Sequence, residues 1–325
     1  MRSVLLLDVK ASSLCAGINR YCENLVELFT ANSKVEVIQI DYSRIRLKSF
    51  KLLGKKIYSF TDLFKYNDLR KCDIIHINGF ASIVVLQFFI ISILLRKKIV
   101  YTPHFHPFEK LNHPLLAKIY FFLLLRPCLY YVKTITTINK EDTAFFKRFH
   151  KNVVCIPNWL QQFPDLRIKE PKNKKLILFV GRADANKGID HLYTIPRNKY
   201  EVHCVTSGYI QRDDFIIHKD ASETELKSLY KKASLVVIPS RYEAFSYVAL
   251  EALSFGTPIV ISDRVRIYDY LSHLQGVTTF LYGDYVAFNI AIDITIQQSV
   301  PVEKVMSIFD KKKIRNSLLN VYVSI

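Results

Sequence analysis

The sequence predicts an α/β protein made of two Rossmann-like domains, on three observations. Short apolar runs alternate with longer stretches of helical period along nearly all 325 residues, which is how parallel sheets with crossover helices read. The clearest unit spans residues 235–261: an apolar run at 235–238, a loop and helix, a stop at Gly256-Thr257-Pro258, and a second run at 259–261. Strand, helix and strand in that order make a βαβ unit with a parallel pair. A chain of 325 residues also suffices for two domains of ordinary size, each with its own core.

Taken in order, residues 4–7 read as a buried strand, the loop 8–17 feeds a helix over 18–30, and a strand returns at 35–40. Gly17, just before that helix, can take positive φ and let a ligand approach the backbone. From Tyr42 to Lys71 basic residues such as Lys51, Lys55 and Lys56 alternate with apolar ones such as Ile45, Phe50, Ile57 and Phe60. Two readings stand there: a surface helix with its apolar face on the core, or a basic amphipathic element at an anionic membrane surface.

Strands follow at 73–77 and 98–102, joined by an apolar helix at 81–95 that reads as a buried crossover. The first strand ends near His76 and Asn78, the second in Thr102-Pro103-His104-Phe105-His106. A helix at 114–126, closed by Pro127, precedes strands at 134–138 and 153–156 that flank a helix at 140–149. Pro157-Asn158 opens a polar stretch, to Lys174, that reads as the linker. Domain bounds are therefore expected at 1–158, joined by a closing helix at 310–325, and at 159–309.

The second domain opens with a strand at 175–180 and the loop Gly181-Arg182-Ala183-Asp184-Ala185-Asn186-Lys187-Gly188. Cations between glycines directly after a strand suit an anionic ligand: arginine grips oxygens bidentately and lysine acts as a compact point charge. Strands at 201–206 and 215–217 and a capped helix at 222–232 lead into the βαβ unit. Within that unit Glu243 and Glu251 stand eight residues apart, about 12 Å if helical. The helix around Phe245, Val248, Ala249, Ala252 and Leu253 has almost no polar face, so Glu251 is expected to be buried. A capping carboxylate and a buried glutamate paired to an arginine would be the structural alternative.

Lys and Arg number 46 against 29 Asp and Glu, a formal net charge of +17. Such a chain suits an anionic partner, whether phosphorylated substrate, anionic membrane or nucleic acid. Nucleic acid is disfavoured, because no helix-turn-helix, RRM or zinc pattern accompanies the charge. The six cysteines form no CxxC pair, which argues against a disulfide framework or zinc site and fits a reducing cytosol. No apolar run reaches the ~18 to 20 residues of a membrane span, and the start of the chain reads as a strand rather than a signal peptide.

Glu243-x7-Glu251 after a Pro-Ser strand end, followed by Gly-Thr-Pro, resembles the retaining glycosyltransferases of family 4, which have the GT-B fold. The resemblance covers nearly the whole chain and is specific between Gly181 and Gly256. It implies two Rossmann-like domains facing each other across a cleft, with a nucleotide-diphosphate sugar, UDP-sugar favoured, as co-substrate and neither metal nor other cofactor. Arg182 and Lys187 would hold the diphosphate, Glu243 the donor sugar, with Ala244, Phe245 and Ser246 beside it, and Glu251 the ribose. Gly17 would approach the donor, and His104, with His106 as rival, would face the sugar as a catalytic residue together with Glu243. The family's paired glycines become Ala16-Gly17 here, and its Pro-Asn-Gly becomes Pro-Asn-Trp159. The expected function is hexosyl or N-acetylhexosaminyl transfer to a lipid-linked glycan for surface polysaccharide. The enzyme would sit peripherally at the cytoplasmic face, docked through the basic segment 42–71. A sugar-nucleotide epimerase or hydrolase and a non-catalytic partner subunit are the alternatives.

Overall fold

A computed structural model describes residues 2–8, 16–30, 34–41, 48–52, 55–80, 82–105, 113–164 and 172–325. The chain divides into two compact units, Met1–Gln161 with Lys311–Ile325, and Gln162–Asp310. Strands of the first unit are β1 (Arg2–Asp8), β2 (Val35–Asp41), β3 (Ser49–Leu52), β4 (Lys55–Tyr58), β5 (Ile74–Asn78), β6 (Lys98–Thr102), β7 (Val132–Thr137) and β8 (Val153–Cys155). Six of them form a sheet in the order β2-β1-β5-β6-β7-β8, parallel throughout.

Successive side chains on a strand point to opposite faces, and β1 shows the consequence. Leu5 and Leu7 enter one core with Phe88, Phe89 and Phe121, while Val4 and Leu6 enter another with Leu25, Ile314 and Leu318. Covered on both faces, these strands read as unbroken apolar runs. The second core includes the closing helix Lys311–Val323, which Arg2 ties down by donating to the Tyr322 carbonyl at 2.6 Å.

Trp159 is fully buried in the same core, edge-on to Tyr21 at 5.8 Å, and its carbonyl accepts from Asn24. The expected linker start is therefore packed into the first unit, and the division falls at Gln161–Gln162.

Two local expectations are corrected. Pro127 does not close the helix that begins at Pro114. The chain passes from Pro114–Ile119 through a π-helical stretch, Tyr120–Leu125, into Arg126–Leu129 with Pro127 inside its first turn. An i→i+5 stretch loosens the ladder just where a proline lacks an N–H and its ring crowds the preceding turn. The segment before β5 is not one amphipathic helix either. It holds an antiparallel hairpin, β3–β4, and two short helices, Phe60–Lys65 and Asn67–Lys71. Buried Gln87, on the apolar helix Ile83–Leu94, grips β4 by donating to the Tyr58 carbonyl and accepting from its amide. That side-chain pairing fixes β4 as extended chain. Residues 42–47 and 53–54 lie outside the described residues.

The second unit has strands β9 (Asn173–Val180), β10 (Glu201–Val205), β11 (Ile216–His218), β12 (Ala233–Ile238), β13 (Ile259–Ser262) and β14 (Val277–Phe280). They form a sheet in the order β11-β10-β9-β12-β13-β14, again all parallel. The order steps outward from β9 in both directions, so the loops after β9 and β12, neighbours in the sheet, emerge side by side. Ligands of open α/β sheets bind beyond such carboxyl ends.

At the carboxyl end of the first sheet, His76 is fully buried. Its Nδ1 lies 2.7 Å from the Tyr322 hydroxyl and its Nε2 2.7 Å from Thr102 Oγ1. A neutral imidazole donates through one nitrogen and accepts at the other, and burial, aided by nearby His104, pushes its pKa down to about 3. An unfolded histidine takes up its proton near pH 6.5. The folded state therefore binds fewer protons between those values. Stability from His76 is full above about pH 6.5 and falls as pH drops towards 3, by up to about 1.4 kcal/mol per pH unit. Urea unfolding across that range should show this slope, and His76→Gln should flatten it; an unchanged slope in the variant would assign it elsewhere.

Candidate functional site

The site residues of the second unit, Glu251 apart, lie on two loops. The first follows β9, where Gly181 and Arg182 lead to Asp184, whose Oδ1 accepts from the Lys187 amide at 3.0 Å and caps the short 3-10 turn Ala185–Lys187. Gly188 comes next with φ 70°, and a Cβ there would stand 1.9 Å from the Pro239 carbonyl oxygen. Glycine is required at this position by both conformation and space. The second loop follows β12, and its Arg241 amide donates to the Asn186 carbonyl at 2.8 Å. Thus the two loops are pressed together and hydrogen-bonded backbone to backbone.

The side chains meet in the same place. Lys187 Nζ donates to Glu243 Oε1 at 2.8 Å, with side chains 26% and 12% exposed. Ser240 Oγ donates to the same oxygen at 2.6 Å. The Glu243 backbone is held from the other side as well: its amide donates to the Arg264 carbonyl at 3.2 Å and its carbonyl accepts from Arg266 at 2.9 Å. These form an isolated parallel bridge, Glu243 to Val265. Arg182 is more open, its side chain 42% exposed and its guanidinium 3.4 Å from the Asp184 carboxylate.

The helix of the βαβ unit is Tyr247–Ser254, so only Glu251 is on it. Glu243 sits four residues ahead of its first turn, in extended chain, and the expected helical rise between the glutamates does not apply. Ser246 is the N-cap and accepts from the Ala249 amide at 3.3 Å, so its hydroxyl already has a structural use. Ala244 and Phe245 are buried, Phe245 edge-on to Phe309 at 5.9 Å. Any ligand contact from these two would come from their backbone. Glu251 is half-buried rather than buried. Its Oε2 accepts from the Tyr230 hydroxyl at 2.9 Å, where the structural alternative had put an arginine. Tyr230 in turn stacks on Phe255 at 5.7 Å.

In the first unit, His104 has left-handed backbone, φ 44°, a conformation costly for a residue with a Cβ. Its Nε2 lies 3.3 Å from Asn78 Oδ1, and its ring is edge-on to Tyr21 at 4.9 Å. His76 and Asn78, at the same sheet end, are fully buried and belong to the core. His106 lies outside the described residues. Gly17 is helical, in the first turn of Ala16–Phe29, and nothing lies within 4 Å of where its Cβ would be. The expected positive φ is absent.

Sequence reasoning missed Ser240, Asp184, Tyr230 and the loop at Arg264–Arg266. Ser240 and Asp184 carried a signal, each lying three residues before the group it holds, the spacing of a local cap. Tyr230 and Arg264 approach from elements remote in sequence, and no pattern announces them.

Residues 165–287 match the family model described as Glycosyl transferases group 1. That match lies within the second unit. A protein of Klebsiella pneumoniae, described as an uncharacterized 41.2 kDa protein in cps region, is 24% identical over 71% of this chain and 72% of its own. An uncharacterized glycosyltransferase of Methanocaldococcus jannaschii is 36% identical over 31% of this chain and 30% of its own. Among solved structures, Anabaena HepE in complex with UDP and glucose superposes with a TM-score of 0.71 at 14% identity, covering 100% of both chains. The two parallel six-stranded sheets are those of the GT-B fold.

The glycines of the chain separate by their surroundings. Gly188→Ala should cost about 2 kcal/mol or more through left-handed strain and the Pro239 clash. Gly17→Ala should be neutral or stabilise by up to about 1 kcal/mol, as alanine does within helices. Denaturant unfolding of both variants checks this, and equal effects would contradict the loop geometry.

Proposed function

We propose that this glycosyltransferase moves a hexosyl or N-acetylhexosaminyl group from a nucleotide-diphosphate sugar, UDP-sugar favoured, to a lipid-linked glycan with retention at the anomeric carbon. The observation that carries the proposal is the Lys187–Glu243 pair at 2.8 Å, set where two loops meet beyond the ends of parallel strands. Departure of a nucleoside diphosphate builds negative charge, and preorganised cations there stabilise the transition state. Arg182, half-exposed, can swing onto diphosphate oxygens bidentately. Lys187 supplies a point charge whose place is fixed by Glu243.

Glu243 in this reading has two duties: it orients Lys187 and accepts from hydroxyls of the donor sugar. Glu251, steadied by Tyr230, takes the ribose. His104 is assigned to the sugar from the first unit, and the leaving phosphate itself takes the acceptor proton. The reaction uses no metal. A nucleotide and sugar in the Anabaena structure are in keeping with the donor class, and the cps region of the Klebsiella relative with a role in surface polysaccharide. The net charge of +17 favours a place at an anionic membrane face, where the acceptor lipid resides. No helix among the described residues is long and apolar enough to cross a membrane.

Transfer from a panel of UDP-, GDP- and ADP-sugars to a lipid-linked acceptor extract tests the reading. Arg182→Ala and Lys187→Ala should each lower turnover about 100-fold or more in folded protein, and EDTA should leave turnover unchanged. Donor consumption without acceptor at the full rate would favour a hydrolase or epimerase. Because Glu243 and Lys187 act as a pair, Lys187→Ala and Glu243→Gln should be non-additive in turnover, while Glu251→Gln should chiefly weaken nucleoside-diphosphate binding measured by calorimetry. Additive effects would show that the ion pair has no part in catalysis.

A further inference from the structure

The helical stretch from Pro114 to Leu129 is apolar on both its inward and its outward face, with Lys118 and Arg126 its charged residues. Its inward face, Ala117, Phe121, Leu125 and Cys128, is buried in the core of the first unit. Its outward face is also apolar: Leu115, Leu116, Ile119, Phe122 and Leu123 are 70%, 63%, 45%, 41% and 67% exposed. A helix hydrophobic all round is ordinarily enclosed by protein or lipid, and an exposed contiguous apolar face marks a site of interaction.

The surroundings of this face specify the partner. Between His113 and Lys140 there is no Asp or Glu, while Lys118, Arg126 and Lys133 are present, all exposed. Exposed Tyr130 and Tyr131 follow directly, residues whose amphipathic rings favour the level of lipid headgroups. An apolar stripe edged by cations and tyrosines has the chemistry of an interfacial helix. Sixteen helical residues reach about 24 Å, short of the ~30 Å hydrocarbon core, so the stretch can lie in the interface and not span it.

We propose that the outward face of Pro114–Leu129 inserts into the headgroup region of an anionic bilayer and is the docking surface of the first unit. The inference rests on the membrane-bound acceptor reading above but moves the contact. In the segment 42–71, Ile57, Tyr58, Leu63 and Leu69 are spent on the core, leaving as its described apolar surface Phe50 on the hairpin and the pair Phe60 and Phe64, which line a shallow pocket with Ile91 and Leu94. Here the exposed groups form one stripe on one helix. Insertion supplies the apolar contact, and Lys118 and Arg126 the electrostatic one.

Flotation with vesicles of phosphatidylglycerol and phosphatidylcholine, against phosphatidylcholine alone, tests this in the full chain. The double variant Leu116→Ser/Leu123→Ser changes exposed positions, so its thermal unfolding should match the parent. Its partition onto anionic vesicles should fall about tenfold or more, since each leucine removed forfeits buried apolar area. Lys51, Lys55 and Lys56 changed together to glutamate should have a smaller effect. The emission of a Phe122→Trp variant should blue-shift on anionic vesicles and be quenched by brominated acyl chains; Trp159, the sole native tryptophan, is buried and gives the baseline. Parent protein that floats while the leucine variant floats equally, or a Phe122→Trp spectrum unmoved by vesicles, would overturn this helix as the docking surface and leave the membrane reading standing. Parent protein that does not float at all would overturn both. A parent dimer that the leucine variant makes monomeric, without vesicle binding, would assign the stripe to a second copy of the chain.

Discussion

Everything in the second unit that bears on chemistry depends on one close approach, that of Gly188 to the Pro239 carbonyl. Because no side chain intervenes, the loop after β9 can lie directly against the loop after β12. The Arg241–Asn186 backbone bond then fixes their separation. At that separation Lys187 reaches Glu243. The pair is half-shielded from solvent, which strengthens its attraction relative to an open surface pair. It is also braced by Ser240 on one side and by the Arg264–Arg266 backbone on the other. A cation held this way needs little reorganisation when negative charge arrives, and that is the property electrostatic catalysis relies on.

The first unit is organised by a different device, a hydrogen-bonded polar chain inside an apolar core. Tyr322, His76, Thr102 and Thr136 pass side chain to side chain across β5, β6 and β7 to the closing helix. Buried polar groups are costly unless partnered, so this chain specifies where Lys311–Val323 must sit. Trp159 and Asn24 do similar work at the other boundary of the unit. The closing helix and the linker start therefore both belong to the first core, though 150 residues of sequence separate Gln161 from Lys311.

Much of the fold was legible because parallel sheets covered on both faces write a plain code. Runs such as Leu235–Ile238 read as buried strands between helices, and glycine stops at Gly256 and Gly276 mark the returns to β13 and β14. The failures were at places where the deciding partner is remote. The basic stretch before β5 offers an apolar face that suits either a surface helix or an amphipathic membrane element, yet Gln87, contributed by another element, claims the Tyr58 backbone, and β4 is extended. Pro127 signals a helix end by itself, and only the π-helical stretch before it removes the conflict.

The sequence by itself determined the two α/β units, the cationic loop at Arg182 and Lys187, and the glutamates at 243 and 251, because these are set by local period and spacing. Only the structure showed that Gly188 has to be glycine. Only the tertiary structure decided that Glu243 is paired to Lys187, that Glu251 is held by Tyr230, and that His76 is a core residue. The same holds for the helix Pro114–Leu129, whose outward apolar face no periodicity could distinguish from its buried one. Such outcomes depend on which side chains the sheet order brings together, and hydrophobic periodicity carries no record of that order.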